Sequence, residues 1–272
     1  MAKALSLVDE PDLKSRIRSL EERGYVYFPG VINANEIAEL RDVMDRLEPD
    51  EDAFDRVQSR DGLYLDKHIL NCFNRDPIFL QYLDKPGVIE VAEAVMGHPR
   101  SGKTIPCHLI GMTAWITGPG RPDQQLHTDW TPISLPEDVA ADPRVKVPVF
   151  ISTAHYYLDD MYEELGPTKF IPDSHRSGRS PDGDTQWKGM EEQSVLCRAG
   201  DVVMFRSEVW HRGSANTSNQ NRYLLQVHYA NRMIAQKFPP YLNEFQFDKA
   251  ILAQATPLQR RLMGDHEQAA YE

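Results

Sequence analysis

His127 and Asp129 stand two residues apart in the stretch Gln124-Gln125-Leu126-His127-Thr128-Asp129-Trp130. On an extended chain, residues i and i+2 face the same way, so an imidazole and a carboxylate at this spacing can hold one metal ion from one side. A third ligand must come from elsewhere. His211, 84 positions later, follows the strand-like run Asp201-Val202-Val203-Met204-Phe205 and supplies it. Two histidines and one carboxylate on one face of an ion leave its other face open, the arrangement of non-haem Fe(II) oxygenases. Taken alone, a His-x-acid triplet is a weak signal, and a core or surface histidine is the plainer reading.

Arg222 strengthens it. It opens the run Arg222-Tyr223-Leu224-Leu225-Gln226-Val227-His228-Tyr229, eleven residues after His211. An Fe(II) enzyme that uses a dicarboxylic keto acid needs a cation for the distal carboxylate, and the fixed fork of arginine donors suits that task. Strand alternation puts Arg222, Leu224, Gln226 and His228 on one face and Tyr223, Leu225, Val227 and Tyr229 on the other. If Arg222 faces a cavity, Gln226 and His228 face it too. A non-oxygenase metal protein on a similar barrel, such as an isomerase or a small-ligand sensor, would have no use for Arg222. A non-catalytic relative would be expected to have lost one of the three ligands, and none is lost. Trp130 and Trp210 each flank a ligand and are candidates for a substrate wall, although core packing accounts for them as well. Tyr156 and Tyr157 face opposite sides of their strand, so at most one lines a cavity, and we take Tyr157. His155 shares that face and is read as a core or supporting histidine.

The elements that must position these residues change character along the chain. Pro11, Leu13, Ile17 and Leu20 predict a helix that Gly24 ends, and Tyr25 to Phe28 predicts a short strand. Asn33 with Glu36 reads as a helix start, with Ile37, Leu40, Met44 and Leu47 as its buried stripe. Pro86 opens another helix with Ile89, Ala92 and Met96 inward, ended by Gly97. From Thr104 the texture becomes β-rich: strands are expected at Cys107 to Ile116, Leu126 to Trp130, Val149 to Asp159, Val195 to Cys197, Val202 to Phe205 and Arg222 to Ala230, with a short one following Gly166-Pro167. Polar or Pro-rich stretches at Pro49 to Asp61, Thr131 to Pro148 and Arg176 to Asp184 are the lid candidates. Helices followed by many short strands fit an α+β arrangement, with helices packed outside a barrel or sandwich of mainly antiparallel strands. No composition break or internal repeat divides the 272 residues. We therefore expect one domain, with residues 1–103 mainly helical support, 104–235 the β core and 236–272 a C-terminal extension.

Composition narrows the partners. The formal charge of −11 and the lack of a basic cluster argue against nucleic acid. No apolar run approaches the roughly 18 residues of a membrane span, and the N-terminus turns acidic too early for a secretory signal, so a cytoplasmic protein is expected. Three cysteines without a CxxC spacing suggest neither a disulfide framework nor a zinc knuckle.

Together these residues resemble the phytanoyl-CoA dioxygenase-like branch of the Fe(II)/2-oxoglutarate oxygenases, over almost the whole chain. His127-Thr128-Asp129, His211 and Arg222 match its metal ligands and keto-acid arginine in type, order and approximate spacing. Glu22-Arg23-Gly24-Tyr25-Val26, Leu158-Asp159-Asp160 with Gly166-Pro167-Thr168, Ile171-Pro172-Asp173-Ser174-His175 and Ala199-Gly200-Asp201-Val202-Val203 resemble its other signatures. The chain departs from the family's Glu-Asn-Gly at Glu164-Leu165-Gly166 and from its Pro-Gly-Ser-His at Pro172-Asp173-Ser174-His175. The resemblance implies a double-stranded β-helix (jelly-roll) fold, Fe(II), 2-oxoglutarate and O2 as cofactors, and 2-oxoglutarate contacts at Gln124 and Thr168. It implies hydroxylation of a small molecule as the default outcome, with succinate and CO2 as co-products. Halogenating relatives lack the carboxylate ligand that Asp129 provides here, whereas desaturation, epoxidation and rearrangement use the same ligands. The lack of a basic grip for coenzyme A points to a small, moderately apolar metabolite of a biosynthetic pathway. A polar amino acid or betaine-like compound recognised by the carboxylates of the 131–148 loop is the alternative. A monomer or a homodimer is equally compatible.

Overall fold

The structure is a computed structural model that describes residues 3–50, 66–100, 103–236 and 247–265. The chain opens with a two-residue strand, β1 (Lys3–Ala4), and helix α1 (Leu13–Arg23). Asp12 caps α1 by accepting from the Ser15 amide at 2.8 Å, and Gly24 ends it in the left-handed region at φ 85°. Strand β2 (Tyr25–Phe28) leads to α2 (Ala34–Arg46), which starts on the expected capping box: Asn33 Oδ1 accepts from the Glu36 amide at 3.1 Å, and Glu36 accepts from the Asn33 amide at 2.8 Å. Strand β3 (Asp66–Leu70), two 3-10 turns (Cys72–Asn74 and Pro77–Tyr82) and α3 (Val88–Met96) follow. A small hairpin, β4 (His98–Arg100) with β5 (Lys103–Ile105), precedes the main β region.

That region contains β6 (His108–Thr117), a short helix α4 (Glu137–Ala140), β7 (Ile151–Tyr157), β8 (Thr168–Phe170), β9 (Gln193–Ser194), β10 (Val202–Arg206), β11 (His211–Gly213) and β12 (Arg222–Ala230). Helices α5 (Lys249–Gln254) and α6 (Pro257–Leu262) complete the described chain. Six strands form one antiparallel sheet in the order β2-β10-β7-β12-β6-β3. Four form a second, β1-β9-β8-β11, antiparallel except where β1 joins β9. The two face each other as a double-stranded β-helix with helices outside, so the expected α+β class holds. No helix among the described residues is long and apolar enough to cross a membrane.

Alternation along the central strands divides the two faces of the large sheet. Ala154 and Tyr156 on β7, Met112, Ala114 and Ile116 on β6, and Leu225, Val227 and Tyr229 on β12 point outward. They pack against Leu20, Leu40, Met44, Ile89 and Ala92 of the first three helices and against Ile251 and Leu262 of the last two. Tyr157, Val203, Phe205 and Leu224 point inward and meet Phe170 and Val195 from the small sheet. The segment expected to be mainly helical therefore also supplies β2 and β3, both edges of the large sheet.

Three expectations differ in detail. Leu126 to Trp130 is not a strand: only His127 makes a bridge, to His211. Val195 to Cys197 runs beyond its strand, because the residues that pair with β8 are Gln193 and Ser194. The 131–148 stretch is not wholly loop, since Pro136 starts one helical turn, α4. Of the lid candidates, residues 51–61 lie outside the described part. The other two are joined to each other, with the Leu135 amide donating to Gly178 O at 3.3 Å and Ser134 Oγ to the same carbonyl at 3.3 Å.

Leu225 lies at the centre of the helix-facing side with no solvent exposure. Leu225→Ala is expected to cost about 2–5 kcal/mol of unfolding free energy, read from the midpoint of a urea or guanidinium transition.

Candidate active site

His127 and His211 exchange backbone hydrogen bonds, 3.0 Å from His127 N to His211 O and 2.8 Å in return. Their rings lie 4.4 Å apart, centre to centre. Two residues on, the Asp129 amide donates to Ser207 O at 3.0 Å, which turns the carboxylate back toward the imidazoles. Asp129 Oδ1 is 3.5 Å from His211 Nε2, and one ligand atom from each of the three residues lies within 4.8 Å of the others. Adjacent ligands of one ion, each bonded at about 2.1 Å, stand roughly 3 Å apart, so a small inward movement completes the site. Among the described residues this is the cluster able to hold a metal ion.

The rings are already oriented for ligation. His127 Nδ1 lies 2.8 Å from Gln125 O, and His211 Nδ1 lies 2.9 Å from Val209 O. A carbonyl only accepts, so each Nδ1 carries the proton and each Nε2 is left for the metal. Thr153 Oγ1 donates to Asp129 Oδ2 at 3.1 Å and lies 3.0 Å from His228 Nδ1. The hydroxyl has one proton. Given to the ionised carboxylate, it leaves the oxygen lone pair to accept from His228 Nδ1–H, so one side chain steadies both the acid ligand and a cavity histidine. Burial lowers the His127 pKa, and His211 lowers it further. Burial also pulls His211 down, but the charge and hydrogen bond of Asp129 win and raise it above the ordinary value. The carboxylate thus favours positive charge at the centre of the cluster.

A cavity of about 300 Å³ opens over these ligands, lined also by Gln124, Thr168, Arg222, Leu224, Gln226 and His228 and by Thr113, Trp115 and His155. A cleft of similar size, about 310 Å³, lies near α1 beside Glu21, Glu22, His175 and Arg206 and contains no such metal cluster. In the first cavity Arg222 is buried. Its Nη1 donates to Gly166 O and its Nη2 to Thr117 Oγ1 at 3.1 Å, while its Nε has no partner. Among the described residues no carboxylate oxygen forms a salt bridge with it. Burial lowers its pKa, the sign that its charge is poorly compensated within the protein. A buried guanidinium in that position fits an anionic ligand. Gly166 can present its carbonyl there because it sits at φ +80°, and a Cβ on it would stand 2.6 Å from Ser214 O.

The structure brings His127, Asp129, His211, Arg222, Gln124, Thr168, Gln226 and His228 to one cavity. Gln124 Oε1 accepts from the Gly213 amide at 2.8 Å, and Thr168 Oγ1 accepts from Tyr157 OH at 3.1 Å. Three other candidates stand elsewhere. Trp210, next to His211 in sequence, faces the opposite way: it is fully buried with Ile171 and Trp187, and its indole N–H reaches Ser177 Oγ at 3.1 Å and Arg179 O at 2.9 Å. Trp130 is 48% exposed, outside the cavity. Tyr157 is buried behind Thr168 and is not part of the lining. Thr113, Trp115 and Thr153 went unnoticed in sequence. The first two alternate along β6 with the buried Ala114, and Thr153 shares the inward phase of His155, so alternation was the available signal.

Residues 20–223 match the phytanoyl-CoA dioxygenase (PhyH) family profile. The chain belongs to this family. It is similar to the dioxygenase trt7 of Aspergillus terreus, with 27% identity over 160 residues that cover 54% of this chain and 47% of that protein. A probable phytanoyl-CoA dioxygenase of Caenorhabditis elegans is 25% identical over 175 residues, 58% of this chain and 53% of the relative. The chain thus spans about half the length of the curated relatives it matches. Among solved structures, HygX from Streptomyces hygroscopicus with nickel and 2-oxoglutarate bound superposes with a TM-score of 0.61 at 17% identity, over 82% of this chain and 89% of that one. The non-haem α-ketoglutarate-dependent epimerase SnoN from nogalamycin biosynthesis gives 0.59 at 20% identity, over 80% and 83%. At such identities the likeness is one of fold.

Thr153→Val removes the hydroxyl that holds Asp129 while keeping the side-chain shape. Metal affinity, measured by titrating Fe(II) or Co(II) into metal-free protein, is expected to fall about 10- to 100-fold with the fold intact by circular dichroism.

Proposed function

We propose that this member of the PhyH family is a non-haem Fe(II)- and 2-oxoglutarate-dependent dioxygenase, organised as one domain, that hydroxylates a small molecule of a biosynthetic pathway. The observation that carries the reading is the pairing, in one cavity, of the His127, Asp129 and His211 cluster with a buried Arg222 that lacks a carboxylate partner. A plain zinc or nickel site accounts for the first and leaves the second unexplained. The biosynthetic setting of SnoN and the 2-oxoglutarate held by HygX agree with it.

In this reading His127 Nε2, His211 Nε2 and an Asp129 oxygen hold the iron, and Arg222 receives the far carboxylate of 2-oxoglutarate. Gln124 and Thr168 stand where they can reach the same cosubstrate. When bound, the iron, the keto acid and O2 supply the oxidising power, with decarboxylation to succinate. The protein's part is positioning. The carbonyls of Gln125 and Val209 fix the imidazole tautomers, Thr153 fixes the carboxylate, and Thr117 with Gly166 fixes the guanidinium. The cavity wall presents one C–H bond of the substrate and keeps water from the reacting centre. Hydroxylation is the outcome we assign. Desaturation, epoxidation or epimerisation would need the same ligands and a different substrate pose.

The test is an anaerobic titration of metal-free protein with Fe(II) and 2-oxoglutarate, watching the visible charge-transfer band of the chelate. The wild type is expected to develop the band, and Arg222→Ala to need roughly 10- to 150-fold more 2-oxoglutarate for half-saturation, as loss of a hydrogen bond to a charged group implies. A wild type that binds Fe(II) and shows no band at any 2-oxoglutarate concentration would sink the reading in favour of a non-oxygenase metal protein.

A further inference from the structure

Once the metal ligands and the proposed 2-oxoglutarate contacts Arg222, Gln124 and Thr168 are set aside, the side chains left on the cavity wall are Thr113, Trp115, His155, Leu224, Gln226 and His228. Leu224 is the one aliphatic residue among them. An acyl chain lying against this wall would meet a carboxamide, two imidazoles and a hydroxyl.

Gln226 is held in a fixed orientation. Trp115 Nε1–H donates to its Oε1 at 2.8 Å, so the carboxamide nitrogen lies on the other side, 3.0 Å from His155 Nε2. Trp115 is itself braced by His68, ring centres 3.6 Å apart. Because His155 Nε2 accepts from the amide, the proton of this neutral imidazole is on Nδ1, a buried donor with no partner among the described residues. These two bonds use one of the two amide hydrogens and one of the two carbonyl lone pairs of Gln226. Gln226, half-buried on the wall, thus offers a donor and an acceptor already aimed and not fully engaged. Covering each with an apolar group would weaken binding by roughly 5- to 150-fold, while a ligand carrying hydroxyls would satisfy them.

Charge narrows the class further. Among the described residues Arg222 is the only arginine or lysine on the lining, and the 2-oxoglutarate reading assigns it to that carboxylate. Among the described residues no second lysine or arginine lines the cavity to hold a phosphate or a coenzyme A group there.

We propose that the substrate is a neutral polyhydroxylated small molecule, and that Gln226, held by Trp115 and His155, is a specificity-determining contact. This reverses the moderately apolar metabolite expected from sequence, and it rests on the oxygenase reading above. The experiment uses the full chain loaded anaerobically with Fe(II) and 2-oxoglutarate. One panel contains sugars and cyclitols, and the other contains fatty acids and their coenzyme A thioesters. Perturbation of the charge-transfer band reports binding, and succinate formed on admitting O2 reports coupling. At least one polar compound is expected to perturb the band and to stimulate succinate formation about tenfold or more, with no acyl compound doing so. Gln226→Leu is then expected to weaken that compound by roughly 5- to 150-fold, while half-saturation by 2-oxoglutarate moves less than about twofold. Trp115→Phe, which keeps an aromatic ring beside His68 and removes the N–H donor, tests the same contact should the first variant fail to fold. Stimulation by an acyl compound, by neither panel, or an equal loss of 2-oxoglutarate affinity in both variants overturns the proposal. A wild type without the charge-transfer band fails earlier, at the oxygenase reading itself.

Discussion

Two backbone hydrogen bonds between His127 and His211 hold the centre of this protein together. Neither residue belongs to a long strand of the large sheet, and the 127 segment makes no ladder beyond that one bridge. The pairing places two imidazoles side by side, and the Asp129 amide bond to Ser207 returns the third ligand to them. Because these bonds are made by the backbone itself, the geometry is set without a metal. The side chains then follow, with Nδ1 of each ring tied to a carbonyl two residues back.

The bridge can exist only because the large sheet is anchored on its other face. Tyr156, Leu225, Val227 and Tyr229 bury themselves against the helices, which commits the alternate residues, His155, Leu224, Gln226 and His228, to the space between the sheets. The phase that makes one face a hydrophobic core makes the other a reaction chamber. A slip of one residue in β12 would send Arg222 into the helices and Tyr223 over the metal site. The last helices, α5 and α6, contribute to this anchoring through Ile251 and Leu262.

The chamber is costly to maintain. Among the described residues Arg222 Nε and His155 Nδ1 are buried donors without a partner, in a cavity whose walls hold few aliphatic groups. Such groups weaken a fold unless a ligand completes them, which is the relation expected between a binding site and the scaffold that supports it. The two orphans sit on neighbouring strands of the same sheet, and each addresses a different part of the contents proposed above.

Much of this was legible in sequence because it depends on local rules. The capping residue Asn33, the stop at Gly24, the strand from Arg222 to Ala230 and the inward phase of Gln226 and His228 follow from spacing and residue type alone. The ligand set follows from His127, Asp129 and His211 taken with Arg222. What tertiary structure decided is what lies across from what. Thr153 becomes the support of Asp129 only because β7 pairs with β12 in a register that sets it opposite His228. Trp210, just before β11, leaves the site because neighbouring residues of an extended chain face opposite ways and His211 takes the inward position. Trp115 and His155 meet Gln226 from strands on either side of it, 111 and 71 positions away in the chain. Alternation along a strand assigns a face. Only strand pairing assigns the neighbours, because register is set by the packing of the whole sheet and no single stretch encodes it.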